Sequence, residues 1–125
     1  MVGASGAFGS EFCNQLMAQG ALVSGTARSA ETSARLRGDL HQRLILDLET
    51  PASIDQLAKF LKSQTDSLDG IVLAAGLVAF GTIGETPSNV TNRLMQVNAS
   101  GQIQTVAALL PKLAQRIAAN DEKAR

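Results

Sequence analysis

The sequence predicts an α/β domain in which helices cover both faces of a parallel sheet. Three strand-like apolar segments alternate with four segments whose apolar residues recur at helical spacing. Such alternation is typical of a parallel sheet with right-handed crossovers. A glycine-rich turn opens the chain, and the unbroken apolar run at residues 71–75 predicts a strand covered on both faces.

The composition is that of a folded domain and argues against several classes of partner. Apolar residues make up 45% of the 125 residues, and eleven basic residues balance eleven acidic ones. No basic stripe with interleaved aromatic residues is present, which argues against a nucleic-acid surface. No cluster has metal-ligand spacing. The single cysteine excludes an internal disulfide, and no apolar run is long enough for a membrane span. We therefore expect a cytoplasmic protein that binds no membrane and no metal.

Three glycines spaced by three residues form the opening turn. Gly3, Gly6 and Gly9 follow the apolar pair Met1-Val2 and precede a helical pattern. A glycine turn between a strand and a helix lets the backbone approach a phosphate, and the first N–H groups of the helix then point at the anion. The turn therefore predicts a phosphate site; the alternative is a glycine-rich turn without a ligand.

The first predicted helix covers residues 10–19 and stops at Gly20. Cys13 lies beside its apolar row, and we interpret it as a small core residue rather than a reactive thiol. The apolar row itself consists of Phe8, Phe12 and Leu16.

Two strands and a short helix follow. Residues 21–27 read as a short buried strand and residues 43–48 as a further strand. Residues 29–37 between them read as a helix that Ser29 caps and Gly38 stops.

The second half predicts two longer helices separated by the apolar strand. Thr50-Pro51 is a typical helix start, and residues 63–69 read as a polar linker. A helix of about 30 residues should begin at Thr86-Pro87, bend at Pro111 and fray over residues 120–125. The core-facing stripe of the first of these helices is Ile54, Leu57, Ala58 and Leu61.

Four short segments occur at spacings that are found together in one family. They are Gly3-Ala4-Ser5-Gly6-Ala7-Phe8-Gly9, Asp47-Leu48, Leu73-Ala74-Ala75-Gly76, and Val97-Asn98-Ala99-Ser100-Gly101 with Leu110-Pro111. Together they resemble the N-terminal half of a short-chain dehydrogenase/reductase. The resemblance implies that residues 1–125 form a single partial NAD(P)-binding domain. This would be a Rossmann-like three-layer domain with the first strand nearly absent and the C-terminal half missing.

The resemblance also assigns residues to roles. Asp47 and Leu48 would lie beside the adenine, and Asn98 would be the asparagine of the catalytic tetrad. Arg28 directly follows the strand predicted at residues 21–27, which would be the second strand of the family's fold. At this place an arginine accommodates a 2′-phosphate. Residues 24–28 contain no acid that would bind a ribose 2′-OH instead. This favours NADP over NAD. The implied cofactor-binding residues are Gly3, Ser5, Gly6, Ala7, Phe8, Gly9, Arg28, Ser29, Asp47, Leu48, Ala75 and Gly76.

The sequence departs from the family pattern in three places. Ala7 stands where many members have a glycine, and Leu73 and Ala74 replace two asparagines. The sequence contains no tyrosine, so the family's Tyr-x-x-x-Lys proton donor is absent. We therefore expect cofactor binding without turnover at a family-like rate.

The sequence thus favours the NADP(H)-binding portion of an oxidoreductase. Its parent reaction would transfer hydride between NADPH and a small-molecule carbonyl or alcohol. The alternatives are a non-catalytic dinucleotide-sensing module and a truncated fragment without independent activity. The resemblance also implies a homo-oligomer that assembles through the long helix 87–117.

Overall fold

A two-stranded parallel sheet organises the fold. In the computed structural model, which describes residues 1–64 and 67–125, strand β1 (Ser24–Ala27) pairs with strand β2 (Gln42–Ile45). The parallel direction that the sequence predicts is confirmed. Both strands are shorter than predicted, and Leu22 is exposed before β1 begins.

The first residues of the chain extend this sheet. Beside β1, the N–H of Thr26 donates to the carbonyl of Met1 at 3.0 Å, and the N–H of Ala4 donates to the carbonyl of Thr26 at 2.9 Å. On the other side, Val2 forms a parallel bridge with Leu73. The opening segment, residues 1–4, therefore lies between β1 and residues 72–74, although it is too short to form a regular strand.

The strand predicted at residues 71–75 is reduced to that single bridge. Only the opening segment pairs with it among the described residues, and the side chains of Val72 and Leu73 are partly exposed. The prediction that this run is covered on both faces was therefore wrong. An apolar run shows which residues could be buried, but whether the strand is covered depends on elements far away in sequence.

Helix α1 (Ala7–Ala18) begins three residues earlier than predicted, with Gly6 as its N-cap. It ends where expected. Gly20 has a φ of +88°, and its N–H donates to the carbonyl of Met17 at 3.0 Å, as at many helix C-termini.

The buried face of α1 differs from the predicted aromatic row. Gly9 and Cys13 are buried, while Phe8 is 80% exposed and Phe12 is 47% exposed. The core position of Cys13 is confirmed, and the packing of Phe8 into an apolar row was wrong. The helix approaches the opening segment so closely at Gly9 that an added Cβ would overlap the carbonyl oxygen of Gly3.

Helix α2 (Ala30–Ser33) is a single turn rather than the predicted nine residues. Its cap is as predicted. The Ser29 hydroxyl accepts the N–H of Thr32 at 3.2 Å, and the Thr32 hydroxyl accepts the N–H of Ser29 at 2.9 Å. These reciprocal bonds form a capping box.

Helix α3 (Pro51–Lys62) confirms its predicted start and stripe, because all four apolar residues of the stripe are buried. It packs against the last helix of the chain. The predicted linker after it includes residues 65–66, which lie outside the described residues.

The predicted long helix consists of consecutive pieces. A short 3₁₀ turn (Ile83–Glu85) precedes α4 (Ser88–Met95), a π-helical turn (Gln96–Ser100) and α5 (Gly101–Ala124).

The ends of this helical segment correct the sequence-based prediction. Pro87 is the N-cap of α4 rather than its first residue. Pro111 lies inside α5, where the sequence places it, and the bend expected there stays a prediction. The tail predicted to fray over residues 120–125 is helical through Ala124.

Two apolar clusters hold these elements together. One contains α1 residues with parts of β1 and the α2 region, and the other joins α3 and α5 to the residues after β2. Different helices therefore pack into two separate apolar cores, as expected for the predicted layered α/β domain. In the described part of the chain, no helix is both long and apolar enough to cross a membrane.

Candidate cofactor-binding site

A cleft of about 220 Å³ lies at the carboxyl ends of the strands. Its walls come from the opening turn, the ends of β1 and β2, and the loop that follows residues 72–74. In open parallel sheets, ligands bind in the crevice outside the carboxyl ends of the strands. The position of this cleft is therefore that of a ligand site.

The opening turn is fixed by a glycine with a positive φ. Gly3 has a φ of +82°, a conformation that disfavours any residue with a side chain. A Cβ there would also lie 2.7 Å from the backbone nitrogen of Ala75. The N–H of Gly3 donates to the hydroxyl of Thr26 at 3.1 Å, which anchors the turn to β1.

The N-terminus of α1 leaves room for an anion. Gly6 makes no side-chain cap and the first turn carries no acidic residue. A Cβ at Gly6 would meet only the carbonyl oxygen of Gly3, at 3.5 Å, within the described structure. The N–H groups of the first helical turn have no acceptors within a helix, and the helix dipole favours negative charge there. These residues fit the phosphates of a dinucleotide.

Charged side chains form a cluster at one side of the cleft. The guanidinium of Arg28 lies 2.8 Å from the carboxylate of Glu49 and 4.0 Å from that of Asp47. Arg93 of α4 contacts the same Glu49 carboxylate, at 2.5 Å through Nε and 3.3 Å through Nη2. The hydrogen bond from Arg93, together with the charges of both arginines, lowers the pKa of Glu49. Glu49 is thus ionised and shared between two cations at neutral pH.

Asp47 directs its carboxylate into its own turn. One oxygen accepts the N–H of Glu49 at 3.0 Å, and the other accepts the hydroxyl of Thr50 at 3.0 Å. The N–H of Asp47 in turn donates to the hydroxyl of Ser53 at 2.9 Å. These bonds fix the backbone between β2 and α3, and this backbone in turn positions the side chain of Glu49.

Asn98 lies on the π-helical turn and faces the loop after residues 72–74. Its side-chain oxygen accepts the N–H of Leu77 at 2.8 Å, and its amide nitrogen donates to the carbonyl of Leu77 at 2.7 Å. Both polar ends of the amide are therefore bonded to one residue of the cleft wall. π turns insert one residue into a helix and are frequent at functional sites.

Two glutamines on the same helical segment make similar bonds. Gln96 donates to the carbonyl of Leu48 at 2.9 Å, and Gln102 donates to the carbonyl of Ala75 at 2.9 Å. Gly101 lies between them, where a Cβ would come within 2.5 Å of the Leu48 carbonyl oxygen. This face of the helical segment is thus packed against the backbone that follows β2 and the backbone that follows residues 72–74.

The structure brings together eight of the twelve predicted cofactor-binding residues. Ala7 and Phe8 are exposed on the first turn of α1, Gly9 is buried beneath it, and Ser29 caps α2, so these four do not line the cleft. The eight that line it are Gly3, Ser5, Gly6, Arg28, Asp47, Leu48, Ala75 and Gly76.

Several residues that line the cleft, or that bond to its wall from the helical segment, were not identified from the sequence. Thr26 was detectable as a polar residue between apolar neighbours in a strand. Glu49 was detectable as a second acid two residues after Asp47. Gln96 and Gln102 gave no signal, since glutamine is common on exposed helix faces.

The family model for short chain dehydrogenases matches residues 1–120. The chain belongs to this family. Among curated proteins, it is 29% identical over 90 residues to mouse dehydrogenase/reductase SDR family member 7B, covering 70% of this chain and 28% of the relative.

Solved structures of short-chain dehydrogenases share the fold. The Streptomyces avermitilis short-chain dehydrogenase superposes with a TM-score of 0.81 at 28% identity, covering 93% of this chain and 44% of that one. The Pseudomonas aeruginosa RhlG/NADP active-site complex gives a TM-score of 0.79 at 30% identity, covering 91% and 46%. The Rossmann-like fold class is therefore confirmed. The chain spans less than half the length of these relatives.

Proposed function

We propose that the chain is the NADP(H)-binding portion of a short-chain oxidoreductase, folded as a single domain over residues 1–125. The observation that carries the proposal is the cleft itself, in which an open glycine turn and Arg28 face one another across the strand ends. A relative of 30% identity that was solved with NADP supports the choice of cofactor.

Each part of the cleft has a role in this proposal. The turn at Gly3, Ser5 and Gly6, with the first N–H groups of α1, would hold the pyrophosphate. Arg28 would contact the 2′-phosphate, and Asp47 and Leu48 would border the adenine.

The remaining wall would position the nicotinamide end. Ala75 and Gly76 follow the bridge at Leu73, and Asn98 holds the loop at Leu77. When bound, the cofactor would supply the hydride for a carbonyl or accept it from an alcohol. Asn98 would serve the proton relay of the longer parent protein.

A second candidate is a dinucleotide-binding module without turnover. The absence of tyrosine from the sequence favours it, because no residue of this chain can supply the family's proton donor. Purified protein incubated with NADPH and a panel of ketones and aldehydes should show no sustained loss of NADPH absorbance. Turnover that Asn98→Ala abolishes would contradict this second candidate and indicate a complete active site.

The NADP preference is tested by calorimetric titration of NADP and NAD. Because hydrogen bonds to charged groups contribute about 1.5–3 kcal/mol, Arg28→Ala should weaken NADP binding about tenfold or more and leave NAD nearly unchanged. Arg37→Ala is the matched control, since Arg37 pairs with Asp39 rather than with a residue of the cleft. Equal losses of NADP and NAD affinity would contradict the 2′-phosphate role.

We further propose that two copies of the chain associate through α4 and α5. Ile103, Leu110 and Ile117 recur every seven residues along α5 and are each more than half exposed. Light scattering should give a dimer that Leu110→Glu converts to monomer, while Gln104→Glu on an exposed polar position leaves it intact. A monomeric wild-type chain would refute this interface. The cytoplasmic location stays a prediction.

A further inference from the structure

Arg28 is paired with a carboxylate of its own chain. Its guanidinium lies 2.8 Å from Glu49, and both residues line the cleft. A 2′-phosphate that binds to Arg28 must therefore share it with a carboxylate or replace that carboxylate. The sequence position of Arg28 suggested that its guanidinium is available to the ligand. In the structure, the Glu49 carboxylate competes with the ligand for that guanidinium.

The competitor is itself held from the other side. Arg93 lies on α4, and its guanidinium binds both carboxylate oxygens of Glu49. The two arginines, Asp47 and Glu49 carry two positive and two negative charges, so the cluster is neutral before any ligand arrives. A 2′-phosphate adds a charge of about −1.5 to −2 to it. How strongly Glu49 pairs with Arg93 therefore decides how much of the positive charge of Arg28 is left to attract the 2′-phosphate.

We propose that Glu49 is a specificity-determining residue that competes with the 2′-phosphate for Arg28, and that Arg93 weakens this competition by binding Glu49. The inference rests on the proposed function, because it presupposes that the adenosine end of the cofactor reaches Arg28. It adds that the degree of preference between NADP and NAD is set by two residues that need not touch the ligand.

The geometry gives opposite signs for the two substitutions. Removing the charge of Glu49 leaves Arg28 with the more distant Asp47 as its acidic neighbour in the cluster, so the 2′-phosphate should bind more tightly. Removing the guanidinium of Arg93 leaves Glu49 with Arg28 as its cation in the cluster, so the 2′-phosphate should bind more weakly. A purely structural role would weaken binding in both variants.

The test uses adenosine 2′,5′-bisphosphate and 5′-AMP, which differ only in the 2′-phosphate. The readout is the ratio of their affinities for the full 125-residue chain, measured by calorimetry. Because the pairs are partly exposed, Glu49→Gln should raise the ratio about two- to fivefold and Arg93→Gln should lower it by a similar factor. Asp39→Asn, which breaks an arginine–carboxylate pair outside the cleft, should leave the ratio unchanged.

A double variant distinguishes competition from simple repulsion. In an Arg28→Ala background, Glu49→Gln should raise the ratio by a smaller factor, because the carboxylate no longer has Arg28 to occupy. An equal rise in both backgrounds, or no rise in either, would overturn the inference while the proposed function stands. If wild type and Glu49→Gln both fail to bind either nucleotide, the proposed function fails and this inference fails with it.

Discussion

Replacing Gly9 by alanine should destabilise the fold, even though alanine is the better helix former. A Cβ at Gly9 would overlap the carbonyl oxygen of Gly3 and lie 2.8 Å from its carbonyl carbon and 3.0 Å from the Cα of Ala4. Carbon atoms in contact are normally about 3.5–4.0 Å apart, so α1 and the opening turn must separate by about 1 Å. Overpacking costs about 1–3 kcal/mol, and here the obstructing atoms are backbone atoms that no rotamer change can move.

The expected magnitude follows from these opposing effects. Alanine recovers about 1 kcal/mol of helix propensity, so a cost near the upper end of the overpacking range leaves a net loss of about 2 kcal/mol. Urea denaturation followed by circular dichroism measures it. Gly38→Ala is the control, because its added Cβ would meet no atom within 4 Å beyond its chain neighbours and its φ is not positive. A Gly9→Ala variant as stable as the Gly38→Ala variant would refute the close approach.

Three further predictions follow from single side chains. Asn98→Ala should lower stability by about 1 kcal/mol and speed amide exchange at Leu77, and unchanged exchange would contradict the two bonds between them. Ser29→Ala should lower the free energy of unfolding by about 1 kcal/mol through loss of the α2 cap, measured by urea titration. Burial raises the pKa of the Cys13 thiol above its ordinary value of 9.0. The folded protein therefore keeps a proton that the unfolded chain loses, so stability should fall as pH rises above 9.0. Cys13→Ala should remove that part of the slope, and identical slopes would contradict the burial effect.

Elements whose signals are local were predictable from the sequence. Helix α3 starts at Pro51 and buries its stripe because capping and apolar spacing act within one helix. The same holds for the cap at Ser29 and the stop at Gly20. These features depend on contacts between residues a few positions apart, which a sequence displays directly.

Elements that depend on distant partners were predicted less well. Phe8 was assigned to a buried row because its spacing is helical, but the face of α1 that turns inward is chosen by the approach of Gly9 to Gly3. The run at residues 71–75 has the composition of a covered strand, yet it forms one bridge. In both cases the sequence describes what a segment can bury, and the neighbouring elements decide what it does bury.

The candidate site divides in the same way. The glycine turn and Arg28 were found because their chemistry is visible in residue type and order, and both line the cleft. The partners that offset the positive charge of Arg28 were not found, because Glu49 lies 44 residues before Arg93 and neither is near Arg28 in sequence. A charged residue at a ligand site acts through the balance of all charges around it, and screening leaves only neighbours within about 10 Å to contribute. A sequence motif can therefore identify the residue that contacts a phosphate, whereas the strength of that contact is a property of the folded cluster.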